Sequence, residues 1–266
     1  MRLNINHVTR YNYATPPAYA LLQMRMRPQN SPVQKVHDWN MHLTGAQIHV
    51  GYKDQHSNLV DLVEIDPTSH DVEITVSGDI ETLPSQGVKG PHTALMPLWF
   101  YTRQSALTIP GPGVSDLLDT LGSIEEDQIA GLHSLSAMIR ERVAYTVGAT
   151  GTETSAEAAL SLGEGVCQDH THIFLAAARQ LGVPARYVSG YLMMNDRIDQ
   201  QASHAWAEAH IQGLGWVGFD VSNGISPDER YVHICYGLDY AEAAPTFGIL
   251  IGAQQENLSV SIQVQQ

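Results

Sequence analysis

The chain has 266 residues with 43% hydrophobic content, which suits a soluble globular protein and gives enough length for two domains. Its formal net charge of −14 repels phosphate backbones, and no apolar run approaches the roughly 20 residues of a membrane span. We therefore expect neither nucleic acid nor a membrane as a partner. The first residues show no signal-peptide pattern, so we expect a cytoplasmic protein, although its oligomeric state is left open.

The first 80 residues alternate apolar and polar side chains in short runs, the period of half-buried strands. Turn signals such as Thr15-Pro16-Pro17 and Asp66-Pro67 separate these runs. Together they predict an antiparallel β-sandwich. The expected strands cover residues 3–13, 22–27, 46–50, 58–65 and 70–76.

Residues 83–113 are rich in proline and glycine and predict an extended connector. We expect a β-sandwich domain with this connector over residues 1–108 and a second domain over residues 109–266. The connector contains the aromatic cluster Leu98-Trp99-Phe100-Tyr101. This cluster suits docking onto a core, with the lining of a substrate groove as the alternative.

The second half predicts helices first and antiparallel strands afterwards, an α+β order. Residues 124–143 show helical periodicity, and Thr154-Ser155-Ala156-Glu157 matches a capping box before a short helix. A final alternating stretch over 258–264 could join either domain, and we assign it to the second. The remaining expected strands cover 185–193, 204–211, 216–219 and 231–236.

A cysteine is placed at the start of one predicted helix. Gly163 and Gly165 permit a sharp bend before Cys167, and Gly182 suits a left-handed cap at the other end of the helix. The free N–H groups and positive dipole at a helix N-terminus favour a thiolate. Most free cysteines are small buried hydrophobes, and we expect that of the other one, Cys235. Since the two lie far apart in unlike contexts, no disulfide framework is indicated.

A histidine and an acid further along the chain supply the other groups that a nucleophilic cysteine needs. His204, within Ser203-His204-Ala205-Trp206, could take a proton from the thiol, and Asp220 at the end of Gly215-Trp216-Val217-Gly218-Phe219-Asp220 could fix its tautomer. Each residue lies at or beside the end of a predicted element. The order cysteine, histidine, acid thus favours a thiol enzyme.

Four motifs in the same order resemble the transglutaminase-like superfamily: Gly165–Asp169, Arg179–Tyr191, His204–Glu208 and Gly215–Asp220. The segment from Leu3 to Pro28 resembles the β domain that precedes this core in bacterial members. Where relatives commonly have Asp-Pro-Thr, this chain has Asp220-Val221-Ser222, which alters the turn but keeps the carboxylate.

The resemblance implies a papain-like α+β core with Cys167 as nucleophile, His204 as base and Asp220 as its orienter, and it implies no cofactor. Such an enzyme attacks amide bonds of peptides or proteins through a thioester, by hydrolysis or by transfer to an amine. The backbone N–H of Cys167 is one candidate oxyanion donor. By family analogy, the region of Tyr145 is a second. Trp206 shares a strand face with His204, so it either walls the site or belongs to the core.

Other polar residues near the motifs have structural alternatives. Asp169 suits the first turn of the helix, paired with a cation such as Arg186, and Glu208 lies about 13 Å from His204 along a strand, too far for the triad acid. His170 and His172 form a Cys-x-x-His-x-His pattern with Cys167, but three and five residues along a helix do not converge on one metal. Hydrolysis is our main expectation. The alternatives are a protein-glutamine transamidase, a non-catalytic binding module and a metal-binding protein.

Overall fold

The computed structural model describes the backbone of residues 1–266 and the side chains of residues 1–253 and 257–266. The N-terminal strands are β1 (Arg2–Thr15), β2 (Tyr19–Arg27), β3 (Gln34–Thr44), β4 (Ala46–Lys53), β5 (Leu59–Ile65), β6 (Asp71–Thr82) and β7 (Val88–Gly90). A 3-10 helix (Leu98–Thr102) precedes α1 (Pro112–Leu121), α2 (Gln128–Arg142), β8 (Ala144–Tyr145), α3 (Ala156–Leu162), β9 (Glu164–Gly165) and α4 (Cys167–Gln180). The last elements are β10 (Ala185–Leu192), β11 (Asp199–Gln200), β12 (His204–Ile211), β13 (Gly215–Phe219), β14 (Tyr231–Gly237), α5 (Tyr240–Ala243), β15 (Thr246–Ile251) and β16 (Gln254–Gln265).

Two antiparallel sheets form the predicted β-sandwich. One has the strand order β11-β16-β1-β6-β3 and the other β15-β2-β5-β4. The alternation along β1, β2 and β6 directs one set of side chains inward, where Tyr13, Met24, Val63 and Ile74 are buried together. The sequence pattern therefore identified this half correctly.

A third sheet carries the second half of the chain, with the order β14-β10-β12-β13-β7. Helix α4 packs against one face of this sheet, and Phe174 stacks on Phe219 with ring centroids 5.1 Å apart. Helices beside an antiparallel sheet confirm the α+β class. None of the helices in the described part of the chain is both long and apolar enough to cross a membrane.

The connector docks onto this core, as expected. Strand β7 pairs with β13 at the sheet edge, and Tyr101 is fully buried in edge contact with Trp216. Trp99 of the same aromatic cluster remains 65% exposed. The cluster thus anchors the connector through one of its rings.

The longest elements that the sequence prediction lacked are β3, α1 and β15. Strand β3 was missed because a bulge between Val36 and Asp38 shifts its alternation and its inward side chains are only half-buried. Helix α1 was taken as part of the connector because it begins at Pro112, although proline suits the first helical position. Strand β15 was also missed.

The final strands return to the sandwich. β16 runs antiparallel to β1, and β15 pairs with β2, so both join the N-terminal sheets. The prediction that the C-terminal strand belongs to the second domain is therefore wrong. Register explains this, since Ile262 and Val264 are fully or almost fully buried only when β16 lies beside β1.

The predicted capping box forms differently from the expectation. Ser155, rather than Thr154, caps α3 by accepting a hydrogen bond from the N–H of Ala158. The Glu157 carboxylate instead accepts hydrogen bonds from Gly111, Gly113 and Val114 at the start of α1. The acid therefore caps a neighbouring helix instead of its own.

Candidate active site

Cys167 is the first residue of α4, as the sequence predicted, and it is partly exposed. Its N-cap, Val166, has no side-chain oxygen, so the first N–H groups of the helix receive no cap from that residue. Asp169 reaches back to accept a hydrogen bond from the Val166 N–H at 2.8 Å. A Cβ atom on Gly165 would lie 2.8 Å from the Cβ of Asp169, so only glycine fits this approach. The bend therefore depends on Gly165, as well as on Gly163 with its φ of +73°.

His204 and Asp220 lie together beside the thiol. Nε2 of His204 donates a hydrogen bond to Oδ2 of Asp220 at 2.6 Å, and both side chains are buried. The Cys167 thiol lies close enough to the imidazole to favour its protonated form. The structure thus brings together the three residues predicted as a triad, each from the predicted end of an element: the start of α4, the start of β12 and the residue after β13.

Two further residues contact the acid. Asn223 Nδ2 and the Tyr231 hydroxyl each donate to Oδ2 of Asp220 at 2.7 Å, and the Asn223 N–H donates to Oδ1 at 3.1 Å. Sequence analysis missed both as site residues. The position of Asn223, three residues after an acid that ends a strand, indicates an Asx-type turn and could have identified it. Tyr231 gave no such signal, because it reaches the site only through the pairing of β14 in the sheet.

These contacts determine the protonation of the pair. Burial by itself would lower the pKa of His204, but its hydrogen bond with Asp220 and its interaction with Cys167 raise that pKa to about 10. Burial works against ionisation of Asp220 as well, yet hydrogen bonds from His204, Asn223 and Tyr231 lower the pKa of this carboxyl below its ordinary value. At neutral pH the pair is therefore imidazolium and carboxylate.

Tyr145 also lies near the thiol. Strand β8 pairs in parallel with β9, which places Tyr145 opposite Gly165, two residues before the cysteine. Its side chain is half exposed, and its hydroxyl interacts electrostatically with Cys167. Burial and the neighbouring Cys167 raise the pKa of Tyr145 to about 12, so the hydroxyl keeps its proton and remains a donor.

Trp206 belongs to the core. It is fully buried, stacks near the His204 ring at 6.1 Å, and packs with Val188, Leu192 and Tyr231. The sequence left open whether Trp206 walls the site or belongs to the core, and in the structure it lies in the core behind His204. Trp206 therefore supports the imidazole and presents no surface to a substrate.

A cavity of about 360 Å³ borders the acid side of the site. Asn223 and Tyr231 form part of its wall, together with Leu192, Met193 and Met194. Its remaining wall includes Asn195, Asp196 and Arg230, so the cavity combines apolar with polar and charged side chains.

The neighbouring polar residues have structural partners. The expected pair of Asp169 with Arg186 is wrong: Asp169 accepts from Thr150 at 2.6 Å, whereas Arg186 is bound to Glu208. Asp169 and Arg186 do not pair because Arg186 lies on the sheet face that points away from α4.

His170, His172 and Cys235, which the sequence also offered as thiol or imidazole groups, have structural surroundings of their own. Both ring nitrogens of His170 are bonded, to Ser222 and to the Val143 carbonyl, while Nε2 of His172 accepts from the Tyr240 N–H. Cys235 is fully buried, and burial raises the pKa of its thiol to about 12. Its burial agrees with the expected core position.

Comparison with known families agrees with this geometry. The model of the transglutaminase-like superfamily matches residues 117–221, which include all three residues of the triad. A model of the bacterial transglutaminase-like N-terminal region matches residues 3–81. The chain belongs to the transglutaminase-like superfamily. The combination of the two regions confirms the resemblance found in the sequence motifs.

Members similar to this chain occur in other bacteria. An uncharacterized protein of Mycobacterium leprae is 26% identical over 276 residues, covering 99% of this chain and 98% of that protein. An uncharacterized protein of Mycobacterium tuberculosis is 36% identical over 143 residues, covering 50% of this chain but 45% of that protein. The solved structure of a candidate cysteine protease from Cytophaga hutchinsonii has a TM-score of 0.72 and 19% identity, and covers 100% of this chain and 98% of its own. This similarity shows a shared fold.

Proposed function

We propose that the protein is a thiol-dependent enzyme that cleaves amide bonds of peptides or proteins, with Cys167 as nucleophile, His204 as acid and base, and Asp220 as the orienting carboxylate. One observation carries the proposal. A partly exposed thiol at a helix start lies close to a buried histidine whose other nitrogen is bonded to a buried carboxylate at 2.6 Å. A purely structural site has no need of a histidine held between these two groups.

The first step is acylation of the thiol. The Cys167 sulfur attacks the amide carbon, a C–S bond forms, and the carbonyl electrons move onto oxygen. His204 then gives its proton to the leaving amine or ammonia as the C–N bond breaks, leaving a thioester. Asp220 stabilises the imidazolium before this transfer and keeps its Nδ1 side directed at the sulfur.

Two donors are available for the developing oxyanion. The backbone N–H of Cys167 lies at the start of α4, and the Tyr145 hydroxyl lies near the sulfur. Removing one such donor costs about 2.7–4 kcal/mol in well-studied enzymes. Tyr145 retains its proton at neutral pH, as this role requires.

The second step decides between hydrolysis and crosslinking. Neutral His204 takes a proton from water, whose oxygen attacks the thioester and releases a carboxylic acid and the thiol. An acceptor amine in place of water would instead give an amide crosslink. We favour hydrolysis because a structural neighbour of the same fold is a candidate cysteine protease, and we propose peptides or proteins as substrates.

Alkylation of Cys167 by iodoacetamide, followed at each cysteine by peptide mapping, tests the nucleophile. We expect rapid labelling at pH 6–7, well below the ordinary thiol pKa of about 8.5, and slower labelling in His204→Ala. Cys235→Ala serves as the control, because its buried thiol should not react. Equal, slow labelling of Cys167 with and without His204 would contradict an activated thiolate.

Turnover is measured on a glutamine-containing peptide library by mass spectrometry, with and without an added primary amine. Cleavage or deamidation without amine incorporation is the expected result, and it should be abolished in Cys167→Ala. Amine incorporation as the main product would identify a transamidase. Turnover that persists in purified Cys167→Ala would rule out the proposed mechanism.

A further inference from the structure

A second cavity lies at the junction of the β-sandwich and the core sheet. Its volume is about 210 Å³, and it is walled by Asn30 and Gln34 from the sandwich, Lys89 from β7, and Arg186 and Tyr236 from the core sheet. The core residues belong to the sheet face opposite α4, since their neighbours in the strand pack toward that helix. This cavity is therefore separate from the triad.

Arg186 in this cavity is already neutralised. Its Nε and Nη2 atoms donate to one oxygen of the buried Glu208 at 2.8 and 2.6 Å, and His233 Nε2 donates to the other oxygen at 2.9 Å. The guanidinium also lies 4.1 Å from the ring centres of both Trp216 and Tyr236. The arginine is thus fixed in place and its charge is matched by one carboxylate.

Lys89 has no ion pair of its own among the described residues: Glu208 and Asp228 line a neighbouring cavity with it, but Glu208 is bonded to Arg186 and Asp228 to Arg230. The Lys89 Nζ lies 4.0 Å from the centre of the Tyr236 ring. No Asp or Glu is among the residues that line the second cavity itself, in a chain with 28 acidic and 14 basic side chains. The half-buried ammonium group therefore leaves one positive charge unmatched inside an otherwise acidic protein.

We propose that this cavity binds a small organic monocarboxylate, with Lys89 as its cationic partner. One unmatched cation suits one negative charge better than the two of a phosphate ester. The walls formed by Pro91, Ala94 and Ile234 suit a short apolar body. The volume is below the roughly 300–1,000 Å³ of drug-sized sites, which limits the ligand to the size of a small metabolite.

The protonation of Lys89 gives the site a pH dependence. Burial, together with the charge of Arg186, lowers the pKa of Lys89 to about 7, although Glu208 opposes this. Burial lowers the pKa of His233 to about 4, so His233 stays neutral, and despite its burial Glu208 stays ionised beside Arg186. The other titratable groups around Lys89 are His56 from the sandwich, Tyr236 of β14, and Asp228 in the neighbouring cavity. A carboxylate binds the ammonium form, so affinity should be full below pH 7 and fall as the pH rises through this value.

The chain has only three lysines, Lys35, Lys53 and Lys89, which allows a direct test. With ¹³Cε-labelled lysine, a titration with butyrate at pH 6 should shift the Lys89 signal saturably and leave the exposed Lys35 and Lys53 signals unchanged. At pH 8.5 the Lys89 shift should require at least tenfold more butyrate. Equal, non-saturating shifts of all three signals would overturn the proposal.

Three variants test whether the charge of Lys89, and not a change in the fold, determines binding. Binding of butyrate, followed by saturation-transfer difference on the ligand, should weaken at least tenfold in Lys89→Gln and be unchanged in Lys53→Gln, with matching circular dichroism spectra for both. Lys89→Arg should retain binding at pH 8.5 because its charge does not titrate there. Unchanged binding in Lys89→Gln, or inorganic phosphate that binds more tightly than butyrate at the same site, would contradict a monocarboxylate site at Lys89.

Discussion

Oδ2 of Asp220 accepts three hydrogen bonds, from His204, Asn223 and Tyr231. A carboxylate buried beside an imidazole needs such donors, because each one offsets part of the lost hydration. The Tyr231 hydroxyl matters for stability in particular, since the residue is buried and Asp220 is the acceptor for its O–H group.

We therefore expect Tyr231→Phe to destabilise the protein by about 1.5–3 kcal/mol, the range for hydrogen bonds to charged groups. Urea unfolding followed by fluorescence measures the change. Tyr236→Phe on the same strand is the matched control, because its hydroxyl forms no hydrogen bond with the described residues, and it should change stability by less than about 0.5 kcal/mol. Equal effects of the two substitutions would show that the hydroxyl of Tyr231 contributes nothing specific.

The raised pKa of His204 predicts a measurable titration. The imidazolium should persist through neutral pH and lose its proton only near pH 10, so this contribution to stability is complete below about pH 6.5 and declines as the pH rises through about 10. In Asp220→Asn the main partner of the cation is lost, and the His204 pKa should fall. Histidine titration by NMR, with His204→Gln for assignment and the exposed Asp116→Asn as control, tests this. A His204 pKa near 6.5 in the unsubstituted protein would contradict it.

At this scale the sequence revealed the residues that carry chemistry but few of their partners. Cys167, His204 and Asp220 stand at predicted element ends, where local pattern is informative. Tyr231 and the pair Arg186–Glu208 depend on which strands are neighbours, and the order β14-β10-β12-β13 cannot be derived from the periodicity of each strand. Contacts between residues far apart in the chain could therefore not be predicted from the sequence pattern.

Among the secondary-structure elements, α1 and α3 are connected through one carboxylate. Glu157 on α3 accepts from three N–H groups at the start of α1, with distances of 3.1 Å to Gly111, 2.5 Å to Gly113 and 3.3 Å to Val114. A negative charge is favoured there by the helix dipole. Gly111 and Gly113 also allow this approach, because a Cβ on either would lie within 3 Å of the Glu157 side chain.

Glu157→Gln should lower the free energy of unfolding by about 0.5–2 kcal/mol, as expected for the loss of a charged helix cap. Thermal or urea unfolding measures this, and alkylation of Cys167 should remain unchanged because α1 does not contact the thiol. Glu153→Gln, an exposed acid just before α3, is the control. A loss no larger than that of the control would indicate that water caps α1 equally well.

The missed and recovered elements differ in one physical respect. α4 and β12 are buried on nearly every side, so their apolar pattern is strong in the sequence. β3 and α1 are partly exposed, and their stability comes from neighbours: β6 for the strand and Glu157 for the helix. Local sequence composition therefore predicts buried elements well. It predicts poorly those elements that are stabilised by residues distant in the chain.

For the whole molecule, the position of β16 joins the two halves. Its residues Ile262 and Val264 are buried in the same apolar cluster as Ile173 of α4 and Ala207 of the core sheet, together with Ile5 of β1. The core is thus continuous across the predicted division at residues 108 and 109. Because the final strand closes the sandwich against β1, the chain ends are held in the fold rather than at its edge.

A continuous core predicts a single cooperative unfolding transition. Ile262→Ala, a substitution in the C-terminal strand, should destabilise the whole protein by about 2–5 kcal/mol, since it removes buried methyl groups and leaves a cavity. Ser261→Ala, next to it and exposed, should change stability by less than about 0.5 kcal/mol. Unfolding is followed at Trp39 in the sandwich and at Trp206 and Trp216 in the core, using variants that retain one set of tryptophans. Coincident midpoints that shift together in Ile262→Ala are expected. If only the Trp39 signal shifted, the sandwich would unfold separately, and the two halves would be independent domains despite their shared core.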